Sequence, residues 1–135
     1  MTTKHCPACK TGTLQAITKQ REFFPYGRLV EVETSHFQCD ACGAEVTTNT
    51  QRIANQKSLT ARKPQYAGLL LGEEIFAMRR FYGMTQQQAS ILFGKGKIAF
   101  SRYENETSYP DDSLTKLLRI AIEDPRVVAK LAQDE

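Results

Sequence analysis

Met84–Pro110 reads MTQQQASILFGKGKIAFSRYENETSYP, two amphipathic runs on either side of a glycine-bounded break. Thr85 stands where an N-cap belongs, and the run behind it turns Ala89, Leu92 and Phe93 to one side. GKG at 94–96 is a tight break, after which Lys97–Asn105 resumes at helical spacing with two unlike faces. Ala99, Phe100 and Tyr103 make an ordinary core stripe. Ile98, Ser101, Arg102 and Asn105, spaced i, i+3, i+4, i+7, make a small polar face that carries one arginine and one stray isoleucine.

The surrounding sequence extends the helical pattern. Leu71, Ile75, Met78 and Tyr82 predict a helix over Gly72–Tyr82, with Gly83 ending it at C′. Downstream, NETSYP is a loop. Asp111 or Asp112 caps DSLTKLLRIAI, whose Leu114, Leu117, Leu118 and Ala121 face inward, and Asp124-Pro125 opens a last short helix with Val127, Val128 and Leu131. Five short helices, two of them joined by a three-residue glycine turn, predict a helix-turn-helix domain over residues 67–135.

Residues 1–66 have a different character. All four cysteines, Cys6, Cys9, Cys39 and Cys42, lie there as CPAC and CDAC. Two CxxC knuckles predict a structural zinc site, because four thiolates close a tetrahedral shell around Zn²⁺. Gly43 follows the second knuckle, where such turns call for φ > 0. A thioredoxin-like CxxC is the weaker reading, since no βαβ pattern surrounds either pair. A catalytic zinc would need an open ligand position, which four cysteines do not leave. His5 and His36 stand beside the knuckles, and either could replace a ligand. The 29-residue gap between knuckles predicts a β-hairpin: LQAITKQREFF and RLVEVETSHFQC flank the turn signal PYG. From Thr47 to Pro64 the chain is polar. It reads either as a helix capped near Asn49 and leading to a joint at Lys63–Gly68, or as a loosely ordered linker. The expected fold class is therefore α+β, a small zinc-bound hairpin domain linked to an all-α domain.

Composition narrows the function classes. Net charge is +3, divided as +4 over residues 1–66 (nine basic, five acidic) and −1 over 67–135 (nine basic, ten acidic). Four basic residues and no acid lie between Val46 and Gly72, a stretch suited either to phosphate or an acidic partner or to plain solvation. No apolar run approaches the roughly 18–20 residues of a membrane span, and the start lacks a signal peptide's apolar core. Those features predict a cytoplasmic protein. No HExxH and no His-x-Glu partnered with a cysteine pair is present, so an enzyme is not expected.

Met84–Pro110 resembles the helix-turn-helix of the phage-repressor (Xre or Cro/CI) family. Its Thr-Gln, turn Gly and Ser-Arg-aromatic-Glu are here Thr85-Gln86, Gly94 and Ser101-Arg102-Tyr103-Glu104. With CPAC and CDAC upstream and the KLLR helix downstream, nearly the whole chain resembles the MqsA (YgiT-type) antitoxin family. That resemblance implies an antitoxin of a type II toxin-antitoxin system. Its C-terminal domain would repress its own operon as a DNA-binding homodimer, and its zinc domain would neutralise a small ribonuclease toxin. The aromatics Phe23, Phe24 and Tyr26 at the hairpin tip are candidates for that contact.

A recognition helix enters the major groove with its N-terminal residues at base edges, which points Lys97, Ile98, Ser101 and Arg102 at DNA. Arg102 suits guanine O6 and N7, Ile98 a thymine methyl, and Ser101 a phosphate or base edge. Lys97 can reach a guanine or a phosphate, and Gln86 and Lys95 are phosphate candidates. Arg102 could instead pair with Glu106 or Glu104. Ile98 departs from the polar base reader of the resembled family, and Gly96 from the Ser/Thr cap usual before a recognition helix. The acidic balance of the second half favours a dimer spanning a palindromic operator, with Leu118, Ile122, Val127, Val128 and Leu131 as an apolar dimer surface or as core alone. The rival reading is a stand-alone Xre-type regulator of a phage or mobile element.

Overall fold

In the computed structural model, residues 5–133 are described. The chain divides into two compact units. One is built from the residues up to Phe23 together with Arg28–Arg62, the other from Phe24–Gly27 together with the residues from Lys63 onward. An antiparallel sheet precedes a helical region, so the fold is α+β as expected.

In the first unit, β1 (Leu14–Phe23) and β2 (Val30–Cys39) form the expected hairpin, in continuous register from Leu14↔Cys39 to Phe23↔Val30. The turn at Pro25–Gly27 is 3₁₀, with Tyr26 and Gly27 at positive φ. A two-residue strand, β3 (Glu45–Val46), adds to β2. Its brevity gives it no readable period. Along β2 the residues Val30, Val32 and Thr34 are buried and alternate with exposed Glu31, Glu33 and Ser35, and α1 (Asn49–Thr60) packs on this strand. Helix α1 starts where the polar stretch predicted. Thr48 is its N-cap and closes a capping box with Gln51.

Two placements differ from expectation. Leu29 is exposed and precedes β2, and Phe23 is 4% exposed where a tip aromatic was expected to be open. The guanidinium of Arg62, itself buried, lies 4.0 Å from the centre of the Phe23 ring and roofs it. Sequence distance hid this, because the cover comes from beyond the end of α1.

The two edges of the sheet are treated unequally. Past the end of β3, the side-chain amide of buried Asn55 takes the place of a further strand. It accepts from Ser35 N–H at 2.8 Å and donates to Ser35 C=O at 2.9 Å. Those Ser35 groups point away from β1. Its cross-strand partner Thr18, and Ala16 and Gln20 two residues either side, therefore hold their own N–H and C=O toward the edge of β1 that no strand pairs among the described residues.

The second unit contains α2 (Gly72–Phe81), α3 (Gln86–Leu92), α4 (Ala99–Glu104), α5 (Asp112–Glu123) and α6 (Pro125–Gln133), the five helices expected. Ile75, Met78, Ala89, Phe100, Leu118 and Ala121 form its buried centre. Leu118 is fully buried, so it belongs to the core and not to an outer apolar surface; Ile122 is exposed, and Val127, Val128 and Leu131 pack partly against the core. The segment read as a joint, Lys63–Gly68, begins with a 3₁₀ turn over Lys63–Tyr66. Tyr66 is fully buried there and donates its hydroxyl to Glu106 at 2.5 Å, and Lys63 Nζ donates to Leu69 C=O and pairs with Glu74. Gly72 lets the start of α2 touch the end of α4: a Cβ at this position would stand 2.2 Å from Glu104 O. Among the described residues no helix is long and apolar enough to cross a membrane.

Candidate metal centre and nucleic-acid interface

The two knuckles are near copies of each other. Cys6–Cys9 and Cys39–Cys42 each close a turn in which the residue after the second cysteine donates its N–H to the carbonyl of the first, Lys10 to Cys6 at 2.9 Å and Gly43 to Cys39 at 3.2 Å. That residue takes positive φ in both, +64° at Lys10 and +75° at Gly43. Gly43 meets the expectation, while Lys10 adopts the same conformation with a side chain that disfavours it. The β1–β2 register brings the knuckles together, and all four Sγ atoms lie within 4.8 Å of one another. Cys6–Cys42 and Cys9–Cys39 are each 3.6 Å apart, close to the edge of about 3.8 Å that a tetrahedron with Zn–S near 2.3 Å requires.

Backbone N–H groups aim at the sulfurs, from Gly12 to Cys9 at 3.4 Å and from Ala41 and Cys42 to Cys39 at 3.3 and 3.4 Å. The Gly12 and Thr11 N–H groups, with the Thr11 hydroxyl, bring Cys9 down to about 6. At Cys42 the Ala44 N–H favours the thiolate, yet the sulfurs of Cys39, Cys6 and Cys9 prevail and push it up to about 12. Four sulfurs this close ionise together only around a cation, and the all-thiolate donor set fits a soft or borderline one. Gly12 is part of the site, since a Cβ there would fall 2.2 Å from Cys39 Sγ. Among the described residues, the group that could hold a metal ion consists of the four cysteines. Both ring nitrogens of His36 are engaged by hydroxyls, Nδ1 with Thr47 at 2.7 Å and Nε2 with Thr34 at 2.8 Å, and His5 is exposed and bridges to Thr13.

In the second unit, Thr85 caps α3 and closes a capping box with Gln88. The following helix begins later than its periodicity predicts. Ala99 N–H bonds back to Gly96 O at 3.0 Å, so Lys97 and Ile98 lie in that turn, and Ile98 is an N-cap with no side chain able to cap. The expected polar face survives the shift. Ile98 is 57% exposed, Arg102 and Lys97 are exposed, and Ser101 is half-buried.

Neither expected rival pairing of Arg102 forms. Glu104 makes a bidentate pair with Arg79, Nε at 2.7 Å and Nη2 at 2.9 Å, with both side chains about nine-tenths buried. Glu106 receives the hydroxyls of Tyr66 and Tyr109 and the Gly72 N–H. The Arg102 guanidinium has no partner among the described residues and points to solvent. The two phosphate candidates are already engaged: Gln86 Nε2 donates to Glu104 at 3.3 Å, and Lys95 pairs with Asp111 at 3.6 Å.

Sequence reading missed two connections here. One is the Arg79–Glu104 pair, in which Arg79 also donates to Met84 C=O. The other is Ser90, fully buried between α3 and α4. A small polar residue on the core side of α3 was the available signal for it.

Residues 4–131 match the model of a family described as the antitoxin component of a bacterial toxin-antitoxin system, MqsA. The chain is also 29% identical over 128 residues to the antitoxin MqsA of Escherichia coli (strain K12), a match covering 93% of this chain and 98% of that protein.

Proposed function

The chain belongs to the MqsA antitoxin family, and on that premise we propose a division of labour between its two halves: a zinc-held domain over residues 1–66 that takes the cognate toxin, a small ribonuclease, and a helix-turn-helix domain over residues 67–135 that represses the chain's own operon. Family membership favours this reading over a stand-alone regulator.

The observation that carries the DNA half is the unpaired face of α4. Arg102 is held on a helix anchored to its neighbours, with its guanidinium free to donate two hydrogen bonds to guanine. Ile98 offers an apolar contact for a thymine methyl, Ser101 a hydroxyl, and Lys97 a charge at the groove edge. Lys95 and Gln86 reach phosphate by exchanging partners, and the partly exposed Lys95–Asp111 pair at 3.6 Å is weak enough for that. A homodimer on a palindrome supplies the second half-site.

For the metal, Cys6, Cys9, Cys39 and Cys42 would hold Zn²⁺ in a closed shell that adds folding energy and leaves no position for a reacting water. For the toxin, the edge of β1, which no strand pairs among the described residues, would be a template for strand addition. Phe24 and Tyr26, both exposed, remain side-chain candidates, whereas Phe23 is not one.

The test uses two variants of the full chain. Thr18→Pro removes an N–H that points to the open edge and leaves the hairpin ladder whole, while Thr18→Ala keeps that N–H. Thr18→Pro should lose cognate-toxin binding by tenfold or more and still bind operator, with Thr18→Ala unchanged. Arg102→Ala should lose about 1–3 kcal/mol of operator discrimination and still bind toxin. One variant abolishing both activities would refute the division.

A further inference from the structure

We infer that Ser90 is the positioning residue of the DNA-reading helix, supplying through one buried hydroxyl the cap that the sequence of α4 lacks; this rests on the DNA-binding reading above. Helix α4 is six residues long and starts from Ile98, whose side chain has no acceptor for the orphan N–H groups of the first turn. Gly96 has no side chain either, and its carbonyl takes only the Ala99 N–H. The Phe100 N–H is satisfied from outside the helix. Ser90 Oγ, fully buried, accepts it at 3.0 Å and donates its own proton to Gln86 C=O at 2.8 Å.

That arrangement fixes the oxygen in place. The bond to Gln86 commits the hydroxyl hydrogen, so the lone pairs face Phe100 and the first turn of α4 is tied to the axis of α3. Glu104 anchors the other end of α4 through its bidentate pair with Arg79. Lys97, Ile98, Ser101 and Arg102 thus lie on a short element held at both ends. Loosening the Ser90 end would blur where base-reading atoms sit and leave charge, and hence phosphate attraction, untouched. An alanine at position 90 offers no acceptor and leaves a buried N–H without a partner.

The experiment compares the full chain with Ser90→Ala on two duplexes, one carrying the region upstream of this chain's own gene and one a scrambled duplex of equal length. Amide exchange at Phe100 is followed by NMR. The expected result is a fall of about tenfold in the ratio of specific to scrambled affinity, with scrambled affinity and salt slope unchanged and the Phe100 amide exchanging faster. An unchanged ratio, or an equal loss on both duplexes, would overturn the inference. If Ser90→Ala does not fold, Ser90→Cys takes its place, since a thiol is a far weaker acceptor. Should the wild-type chain fail to distinguish the duplexes, the DNA reading fails; slow exchange at Phe100 in the wild type, lost in the variant, still decides whether Ser90 caps the helix.

Discussion

The two units reach a fixed shape by opposite means. In the first, the buried cluster around the knuckles is Cys6, Leu14 and Cys39, with Cys9, Phe37, Ala44 and Val46 partly buried beside it. At the knuckle end sulfur stands where hydrocarbon would, Phe23, Val30 and Val32 being buried at the other end of the hairpin, and most of β1 is exposed on both faces. In the second, Ile75, Phe100 and Leu118 are almost completely buried among other apolar side chains, and Phe93 stacks on Phe100 at 5.6 Å. The difference teaches what each sequence can do without. The helical unit has an apolar core of its own, whereas the knuckle end of the hairpin unit has little apolar surface, and a metal ion held by its four thiolates would supply the missing folding energy.

That contrast can be attacked from either side. The largest effect belongs to Gly12→Ala, whose Cβ would collide with Cys39 Sγ. Metal content measured by atomic emission should fall from stoichiometric to trace, with operator binding retained; a variant that keeps its metal would show that the sulfurs have room to spare. Next is Arg79→Ala, which leaves Glu104 buried without its partner. Urea unfolding followed on the second unit should lose about 3–5 kcal/mol, with the metal content unmoved.

Smaller effects come from the knuckle turns. Lys10→Gly relieves a lysine at φ +64° and should strengthen the first unit by about 0.5–1 kcal/mol, while Gly43→Ala at φ +75° should weaken it by a similar amount. Competition against a colorimetric chelator reads both, and shifts of the same sign would break the equivalence of the knuckles.

The smallest effect is a pH dependence confined to the second unit. Asp111 caps α5, and the Leu114 N–H, helped by Lys95, holds its carboxyl below the ordinary value of 3.8. Its contribution is therefore complete above 3.8 and lost as pH falls through the lower folded value. Asp111→Asn, a cap that does not titrate, should flatten the fall in thermal stability below pH 3.8. An unchanged acid limb would remove Asp111 from the account.

What could be read from sequence follows the range of the forces involved. The CPAC and CDAC spacing announced the four-cysteine cluster because each knuckle is a local turn with its cysteines three residues apart. Thr85 marked a helix start, and Asn49 and the Asp111-Asp112 pair came within one residue of two others, because a cap acts within three residues. What stayed hidden depended on distant partners. Phe23 looked like an open tip aromatic until Arg62 covered it, and Arg102 had two plausible acidic partners until Arg79, Tyr66 and Tyr109 claimed them. Gly96 spoke for a poorly fixed start to α4, and the remedy lay ten residues before Phe100, in Ser90. Two-residue β3 and the Asn55 contact that guards the edge of β2 have no local period.

The most direct test of the central claim, that a metal-dependent unit and a self-sufficient one share this chain, is an amide ¹H–¹⁵N spectrum of the full chain before and after chelation under reducing conditions. Signals from β1, β2 and α1 should collapse to unfolded positions, while those from α2 to α6 stay dispersed where they were. Persistence of the hairpin signals, or loss of both sets together, would contradict that claim.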